Sequence, residues 1–471
     1  MNFNINKSRH KVFKDPVLFE KCSIFISTIG LALLFTACSS NHCYEQMLTD
    51  FRYSSSPPRY NAGCDVEEDY CFSDPFERSD LVNAVLSVNP SLEAARQAWR
   101  AMLARYPQVS SYDDPMASYA FAPGTITSKT VSYGQEIDLK QKIPFPGKLR
   151  LKGQIALAEA GSAEEDYEWA KIQLATTAST LFDNYYVVDR AIEINKKYIE
   201  LLKEFKESAE AQYASSQVTA QVPLQAEVEL ARLEYEQITL KTDREVIIAK
   251  INALLHRDPS SPLPPPPKVL SPIDTNVIRE QLQQEAFQNR PDLRAIRAQM
   301  GAAASALDLS YLDYFPDFEL MYSYNTMWPV PSMFSTYGVG VNVPIQLGKR
   351  KGAVDEAKAN MNSLYNRHLQ LADQISVDVS TTIERISQAH RYIEILQDKI
   401  IPTAEDQLEV AMAGFETGKD TFLVLIESEK TLRTLELELL TATAELYSQL
   451  AMLDQAVGYI LHFSQGEQCH E

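Results

Sequence analysis

The residues best suited to covalent chemistry are six cysteines, one of which follows a sequence typical of lipid attachment. Basic residues dominate the charge of residues 1–22, and an apolar run from Ser23 to Phe35 follows. This run is too short to span a membrane and is typical of a secretory signal. Thr36 and Ala37 directly precede Cys38, which resembles a bacterial lipobox. We therefore expect a lipoprotein signal peptide at residues 1–37 and acylation of Cys38; an ordinary cleaved signal is the alternative.

Four further cysteines follow the signal, namely Cys43, Cys64, Cys71 and Cys469. An even number of cysteines outside the cytoplasm favours disulfides, and three pairings are open. The pairs His42-Cys43 and Cys469-His470 offer an alternative metal site, but no ligand spacing supports it. We expect no metal and no cofactor.

Composition and motifs argue against several other classes of protein. The net charge is −19, and removal of residues 1–37 makes it −22; a nucleic-acid-binding protein needs a basic face instead. Hydrophobic residues make up 45% of the chain, which is enough to build a core and excludes general disorder. The sequence lacks a phosphate-binding glycine loop, HExxH and G-x-S-x-G. We therefore predict that the protein is not an enzyme.

Long stretches without proline indicate the elements that position these residues. Proline is absent from residues 147–222, 345–401 and 403–471. Each stretch is far longer than an ordinary globular helix. Within them, apolar residues keep the 4-3 spacing of coiled coils, as from Leu174 to Leu202 with one break at Asn195. We expect long helices packed along their length. Pro402, between the second and third stretches, should kink or break the helical pattern there.

The chain repeats itself with an offset near 201. Five matches occur in the same order, beginning with Asn89-Pro90 and Arg290-Pro291 and ending with Tyr213–Ser216 and Phe415–Gly418. Such a series indicates duplication of one unit, which reads helix, strand pair, long helix, tight turn, long helix. We expect six segments: the signal, a cysteine-bearing segment 38–80, a first repeat 81–258, a Pro-rich linker 259–272, a second repeat 273–465 and a tail 466–471.

The predicted strands have one apolar and one polar face. Residues 131–143 alternate with period two, as do 337–347, and Phe318 to Tyr324 form a third face; Met116–Ala122 is a weaker strand. Strands facing lipid on one side and water on the other have this pattern, as does an ordinary half-buried sheet. Four strands cannot close a barrel, and open edges are not tolerated in lipid. If the strands span a membrane, several copies must therefore share one barrel.

In the order and spacing of these motifs, residues 80–465 resemble the TolC family of outer-membrane efflux channels, especially the lipidated CusC-like or CzcC-like branch that works with RND pumps. The shared motifs include Ile143-Pro144-Phe145-Pro146-Gly147-Lys148 and the Gly418 turn. The resemblance implies an α+β, mostly α fold. In it, a homotrimer forms an α-helical barrel from coiled-coil helices and a shared transmembrane β-barrel from four strands per protomer. It also implies location in the outer membrane, contact with lipid, and two partners: a periplasmic adaptor and an inner-membrane RND pump.

The resemblance assigns the two helical turns to the periplasmic tip, where the adaptor docks. The corresponding residues are Ser216, Gln217, Val218, Gly418, Lys419 and Asp420. The family's turn glycine is present as Gly418, whereas Ser216 replaces it in the first repeat. TolC itself has acidic residues six and nine positions after that glycine; here these positions are Val424 and Glu427. Glu427 is therefore the candidate pore constriction, and a solvated helix residue is the alternative.

The sequence thus predicts a passive efflux channel that exports small molecules or metal ions. A periplasmic structural or adhesive coiled-coil lipoprotein would explain the heptads and the lipid, but not two strand pairs placed before long helices. The duct of a type I protein secretion system is a further alternative. We expect no binding of nucleic acid.

Overall fold

The structure is a computed structural model that describes residues 42–54, 75–127, 133–216, 218–270, 279–328 and 330–459. Long helices dominate it, with four short strands. The helices are α1 His42–Ser54, α2 Arg78–Val88, α3 Pro90–Leu103, α4 Arg105–Ser110, α5 Lys148–Ala214, α6 Gln221–Leu254, α7 Arg279–Asn289, α8 Pro291–Leu312, α9 Leu347–Ile395, α10 Ile401–Glu416 and α11 Phe422–Val457. The strands are β1 Met116–Ala122, β2 Gly134–Ile143, β3 Asp317–Asn325 and β4 Ser335–Asn342. This α+β, mostly α fold confirms the predicted fold class.

The same order of elements occurs twice. Short helices, a strand pair, a long helix and a return helix follow one another from α2 to α6 and again from α7 to α11. The first copy has the additional short helix α4, and in the second copy the long helix is divided into α9 and α10. Pro90 and Pro291 each begin a helix, a position where the missing amide hydrogen of proline costs nothing. The structure therefore supports the internal repeat that the sequence indicates.

The four strands form one antiparallel sheet in the order β1-β2-β3-β4. The pairing places Ala117 opposite Leu139, Leu139 opposite Tyr322 and Tyr322 opposite Tyr337. Because side chains alternate along a strand, the apolar positions predicted for separate strands share one face of the sheet. Glu136, Asp138, Lys140, Lys142 and Glu319 lie on the other face, so the sheet has one apolar and one polar face.

The chain divides into two compact units, described separately. The strand unit comprises residues 1–55, 103–153 and 312–345, and the helical unit comprises 56–102, 154–311 and 346–471, as far as the structure describes them. In the strand unit, Tyr44 of α1 stacks on Tyr106 of α4 with ring centroids 4.6 Å apart. Each candidate residue that the structure describes lies in one of these two units.

A buried lysine joins the two repeats within the strand unit. Lys148 Nζ lies 2.9 Å from Asp317 Oδ1 and 3.2 Å from Asp313 Oδ1. Asp317 Oδ1 also accepts a hydrogen bond from the Phe145 amide at 2.9 Å, and the Phe145 and Phe315 rings stack. The motif that ends β2 and begins α5 is thus tied to the start of β3, which fixes where the first strand pair ends and the second begins.

The core of the helical unit lies along the heptad seams. α5 is continuous over 67 residues, a length of roughly 100 Å at about 1.5 Å per residue. The break in its heptad pattern is buried Asn195, whose amide donates to Leu233 O at 3.0 Å and Gln237 Oε1 at 2.8 Å. Its Oδ1 has no hydrogen-bond partner among the described residues. Buried polar side chains that bond across a seam fix the register of packed helices, here that of α5 against α6.

One predicted strand end differs from the structure, whereas a predicted helix break is confirmed. The alternation continues to Leu347, but β4 ends at Asn342; Pro344 has no amide hydrogen for a sheet, and Ile345 N instead bonds Val343 O at 3.0 Å. Pro402 does interrupt the long helix, as predicted, through a π-helical turn at Leu396–Ile400 between α9 and α10. Among the residues described, no helix is both long enough and apolar enough to cross a membrane.

Candidate functional site

The two helical turns lie over one hydrophobic cluster in the helical unit. The cluster draws buried side chains from α5, α6, α10 and α11, including Leu202, Phe205, Ala226, Ala411, Phe415, Phe422 and Leu425. The Phe415 and Phe422 rings approach to 5.4 Å across the second turn. Both hairpins are therefore packed together beneath their turns, which brings the predicted tip segments onto one common core.

The first turn requires a left-handed backbone at a residue that is not glycine. Ser216 has a φ of 56°, and its amide donates to Tyr213 O at 2.9 Å. Val218 is half-buried, and Gln217 lies outside the described residues. Left-handed conformations cost free energy in residues with a Cβ, so this turn carries strain that a glycine would avoid.

The second turn has glycine at the left-handed position and a close approach behind it. Gly418 has a φ of 72°, while Lys419 N and Asp420 N both donate to Gly414 O, at 2.9 and 3.1 Å. The Asp420 carboxylate lies so close that a Cβ on Gly414 would meet its Oδ2 at 1.9 Å. Lys419 and Asp420 are exposed, so the turn presents one cation and one anion.

Glu427 lies on an exposed face of α11, beside a groove formed with α6. The groove has a volume of about 500 Å³, and its walls include exposed apolar side chains and the carboxylate of Glu229. Leu224 and Val228 come from α6, and Leu423 comes from α11. Glu427 is therefore free of the apolar core, and the predicted constriction residue lies on an accessible helix face.

A second carboxylate, two residues further along α11, is buried. Glu429 is 3% exposed, and its Oε1 has no hydrogen-bond partner among the described residues. The pKa of this carboxyl is raised to about 7: burial is the main cause, Arg433 opposes it, and the nearby Glu229 adds to it. Sequence reasoning missed Glu429, although its spacing from Leu425 and Leu432 places it in the helix seam.

Several predicted residues cannot be placed. Cys38, Cys64, Cys71 and Cys469 lie outside the described residues, so neither lipidation nor any disulfide pairing is tested. Cys43 is exposed on α1. Within the described ranges, no group of three or more His, Cys, Asp or Glu side chains is arranged to hold a metal ion, and the alternative site with Cys469 and His470 falls outside them.

The fold is that of outer-membrane channel proteins. The structure superposes on VceC from Vibrio cholerae with a TM-score of 0.70 and 18% identity, covering 81% of this chain and 96% of that one. It also superposes on CusC, a protein whose crystal structures concern folding and transmembrane channel formation. The TM-score is 0.71 and the identity 15%, and the match covers 84% of this chain and 100% of CusC.

Residues 282–459 match the model of the outer membrane efflux protein family. The chain is also 22% identical over 188 residues to the cobalt-zinc-cadmium resistance protein CzcC of Cupriavidus metallidurans. That match covers 38% of this chain and 42% of CzcC, so it spans less than half of this curated relative. The match over residues 282–459 confirms the resemblance to outer-membrane efflux channels that was drawn from the motifs.

Proposed function

We propose that this protein is the passive outer-membrane channel of a tripartite efflux pump and that it functions as a homotrimer. The observation that carries the proposal is the sheet: one apolar face runs across all four strands, and β1 and β4 are its edges. Unpaired strand edges are not tolerated in lipid, so neighbouring copies must pair with them. Three copies supply twelve strands, enough to close a barrel around a water-filled channel.

The helical turns are the proposed docking site for a periplasmic adaptor that links the channel to an inner-membrane RND pump. Six residues belong to it: Ser216, Gln217, Val218, Gly418, Lys419 and Asp420. The exposed Lys419 and Asp420 offer charge-assisted hydrogen bonds to a partner. The pump supplies the transport energy, so the channel itself needs no cofactor.

Glu427 is the proposed constriction. Its exposure on α11 supports this role, because three symmetry-related carboxylates in a narrow pore would attract cations and repel anions. Both metal ions and small organic molecules are compatible with such a duct. Acylation of Cys38 would anchor the segment 38–80 to the outer membrane, and the segments at 81–258 and 273–465 would be the two channel-forming repeats.

Conductance of the purified full-length protein in planar bilayers tests this function. We expect stepwise pores, together with an SDS-resistant trimer that dissociates on heating. Glu427→Gln should reduce the cation preference, measured as a reversal potential in a salt gradient. Glu409→Gln, which removes an exposed charge from α10, is the matched control and should leave the preference unchanged.

The outcomes separate the alternatives. A protein without pores that forms adhesive or structural assemblies would support the coiled-coil lipoprotein and overturn the channel. The protein would be a type I secretion duct if it forms pores and if cells lacking it fail to secrete a protein substrate but do not become sensitive to small toxic compounds. Equal reversal potentials for Glu427→Gln and Glu409→Gln would remove Glu427 from the constriction but leave the channel in place.

A further inference from the structure

Glu429 lies on the face of α11 that packs in the hydrophobic cluster shared by the two hairpins. Its neighbours along the same face of α11 are Leu425 and Leu432, both buried in the cluster beneath the turns. Ser428 beside it is buried as well and accepts a hydrogen bond from Gln407 of α10 at 3.3 Å. A carboxyl in this seam is enclosed by the helices of both hairpins, so its charge state affects how they fit together.

Burial and a like charge outweigh the cations around Glu429. Its charge interacts with Tyr198 of α5, Glu229 of α6, and Lys430 and Arg433 of α11. Glu236 of α6 in turn contacts Arg433, and Glu436 of α11 lies beside Tyr198. From α10, the neutral Gln407 amide donates to Ser428, the residue before Glu429, at 3.3 Å.

Arg433 and Lys430 lower the pKa of Glu429 by their charge, but its Oε1 has no hydrogen-bond partner among the described residues. Arg433 donates through Nη1 to Glu236 Oε2 at 2.7 Å, its buried Nε has no partner among the described residues, and Lys430 is exposed. A buried carboxylate without its own partner is costly, whereas the protonated acid is tolerated.

We propose that Glu429 is a pH-sensitive switch in the packing of α11: the helix packs fully against α5 and α6 while this carboxyl is protonated, and ionisation loosens it. The neutral form is the one the enclosed seam accepts. Ionisation places a second negative charge near Glu229 inside the bundle, and the unfavourable charge is relieved when α11 moves away and water enters. The switch concerns helix packing alone, and its connection to channel opening rests on the proposed function.

The direction of the pH effect follows from proton linkage. A carboxyl released into water has a pKa near 4.5, whereas burial raises that of Glu429 to about 7. The packed state therefore binds one more proton between these values. Loosening of α11 should increase by up to about tenfold per pH unit from about pH 5 to pH 7 and then level off.

Amide hydrogen exchange of residues 422–436 in the full-length protein measures this loosening without any requirement for a pore. After correction for intrinsic exchange rates, wild-type protection should fall between pH 5 and 7 and stay constant from pH 7 to 8.5. Glu429→Gln imitates the neutral acid and should keep high protection throughout. The control Glu409→Gln should follow the wild type.

A second variant tests the electrostatic cause. Glu229→Gln removes the like charge that raises the pKa of Glu429, so the fall in protection should level off at a lower pH than in the wild type. The proposal is overturned if wild-type protection does not change with pH, or if Glu429→Gln keeps the wild-type change. Should Glu429→Gln fail to fold, Glu229→Gln decides: a shift to lower pH supports the switch, and an unshifted curve overturns it. Neither result depends on conductance, so failure of the switch and failure of the channel are distinguishable.

Discussion

Ser216 and Gly418 occupy equivalent positions in the two helical turns and share a left-handed backbone, with φ angles of 56° and 72°. The two turns therefore share a backbone conformation, although only the second has glycine at this position. Because the left-handed region penalises a Cβ, the two turns should respond oppositely to exchange of these residue types.

Ser216→Gly should stabilise the protein by about 0.5 kcal/mol, the net of relieved strain and the added flexibility of the unfolded chain. Gly418→Ala should destabilise it by about 1 kcal/mol, although nothing lies within 4 Å of the added Cβ. Thermal unfolding of the purified variants measures both effects.

Gly352→Ala is the control for this pair. It adds the same methyl group in equally open space, but within the helix α9, where alanine is preferred over glycine by up to about 1 kcal/mol. It should therefore raise the unfolding temperature. If Gly418→Ala raised it as well, backbone strain would not explain the second turn.

Gly414→Ala should destabilise the second turn even though alanine favours helices. The added Cβ would lie 1.9 Å from Asp420 Oδ2 and 3.0 Å from Asp420 Cβ, so the turn must shift, at a cost of about 1–2 kcal/mol. Asp420→Ala removes the carboxylate and should recover most of that loss in the double variant. Additive effects of the two substitutions in a double-mutant cycle would contradict this contact.

The long helices and the strand faces were predictable because their signals are local. The helices α5 and α11 follow from proline-free stretches and from apolar residues three or four positions apart, which lie next to each other on one helix face. The apolar side of β2 follows from its period-two alternation. The end of β4 was misplaced because alternation continues past Pro344, which cannot donate to a sheet. The π-helical form of the break at Pro402 was also hidden, since sequence indicates an interruption but not how the backbone absorbs it.

The site was only partly predictable. The matched turns were found because the repeat aligns Ser216 with Gly418, and the structure confirms a shared conformation. Gly414 was missed because its importance comes from a side chain six residues later that folds back over it. Glu429 was missed because a charged residue in a helical pattern is normally solvated; only the packing of α5 and α6 against α11 shows that it is buried.

Lys148→Met should weaken the junction between the repeats in the strand unit. The change leaves Asp317 and Asp313 without their shared cation, and loss of one partner from a largely buried pair costs about 3 kcal/mol; the partial exposure of both carboxylates reduces this to about 2 kcal/mol. Limited proteolysis near the end of β2 and the start of β3 should accelerate accordingly.

Two further variants test this account of Lys148. Lys152→Met, on an exposed position of the same helix, should have little effect. Adding Asp317→Asn to Lys148→Met should restore part of the stability, because asparagine is neutral and still accepts the Phe145 amide. If the double variant were less stable than Lys148→Met alone, an uncompensated charge on Asp317 would not be the cause.

Asp183 should make the helical unit less stable as pH rises from about 4 to 6. It is 2% exposed on α5 and pairs with Arg78 of α2, which lies over the Tyr447 ring. Burial raises the pKa of Asp183 to about 6 from 3.8, more than Arg78 lowers it. The native state therefore binds the extra proton, and its contribution, about 1–3 kcal/mol, is present below pH 4 and lost as the pH passes 6.

Asp183→Asn should abolish this part of the pH dependence of thermal unfolding, because an amide does not titrate in this range. Asp243→Asn, at an exposed position of α6, should keep the wild-type slope. Since the Asp183 effect lies in α2 and α5, exchange of the Arg78–Val88 amides should follow it while the 422–436 amides follow Glu429. An unchanged slope in Asp183→Asn would mean that Arg78 holds the carboxylate ionised across this range and that burial is the weaker influence.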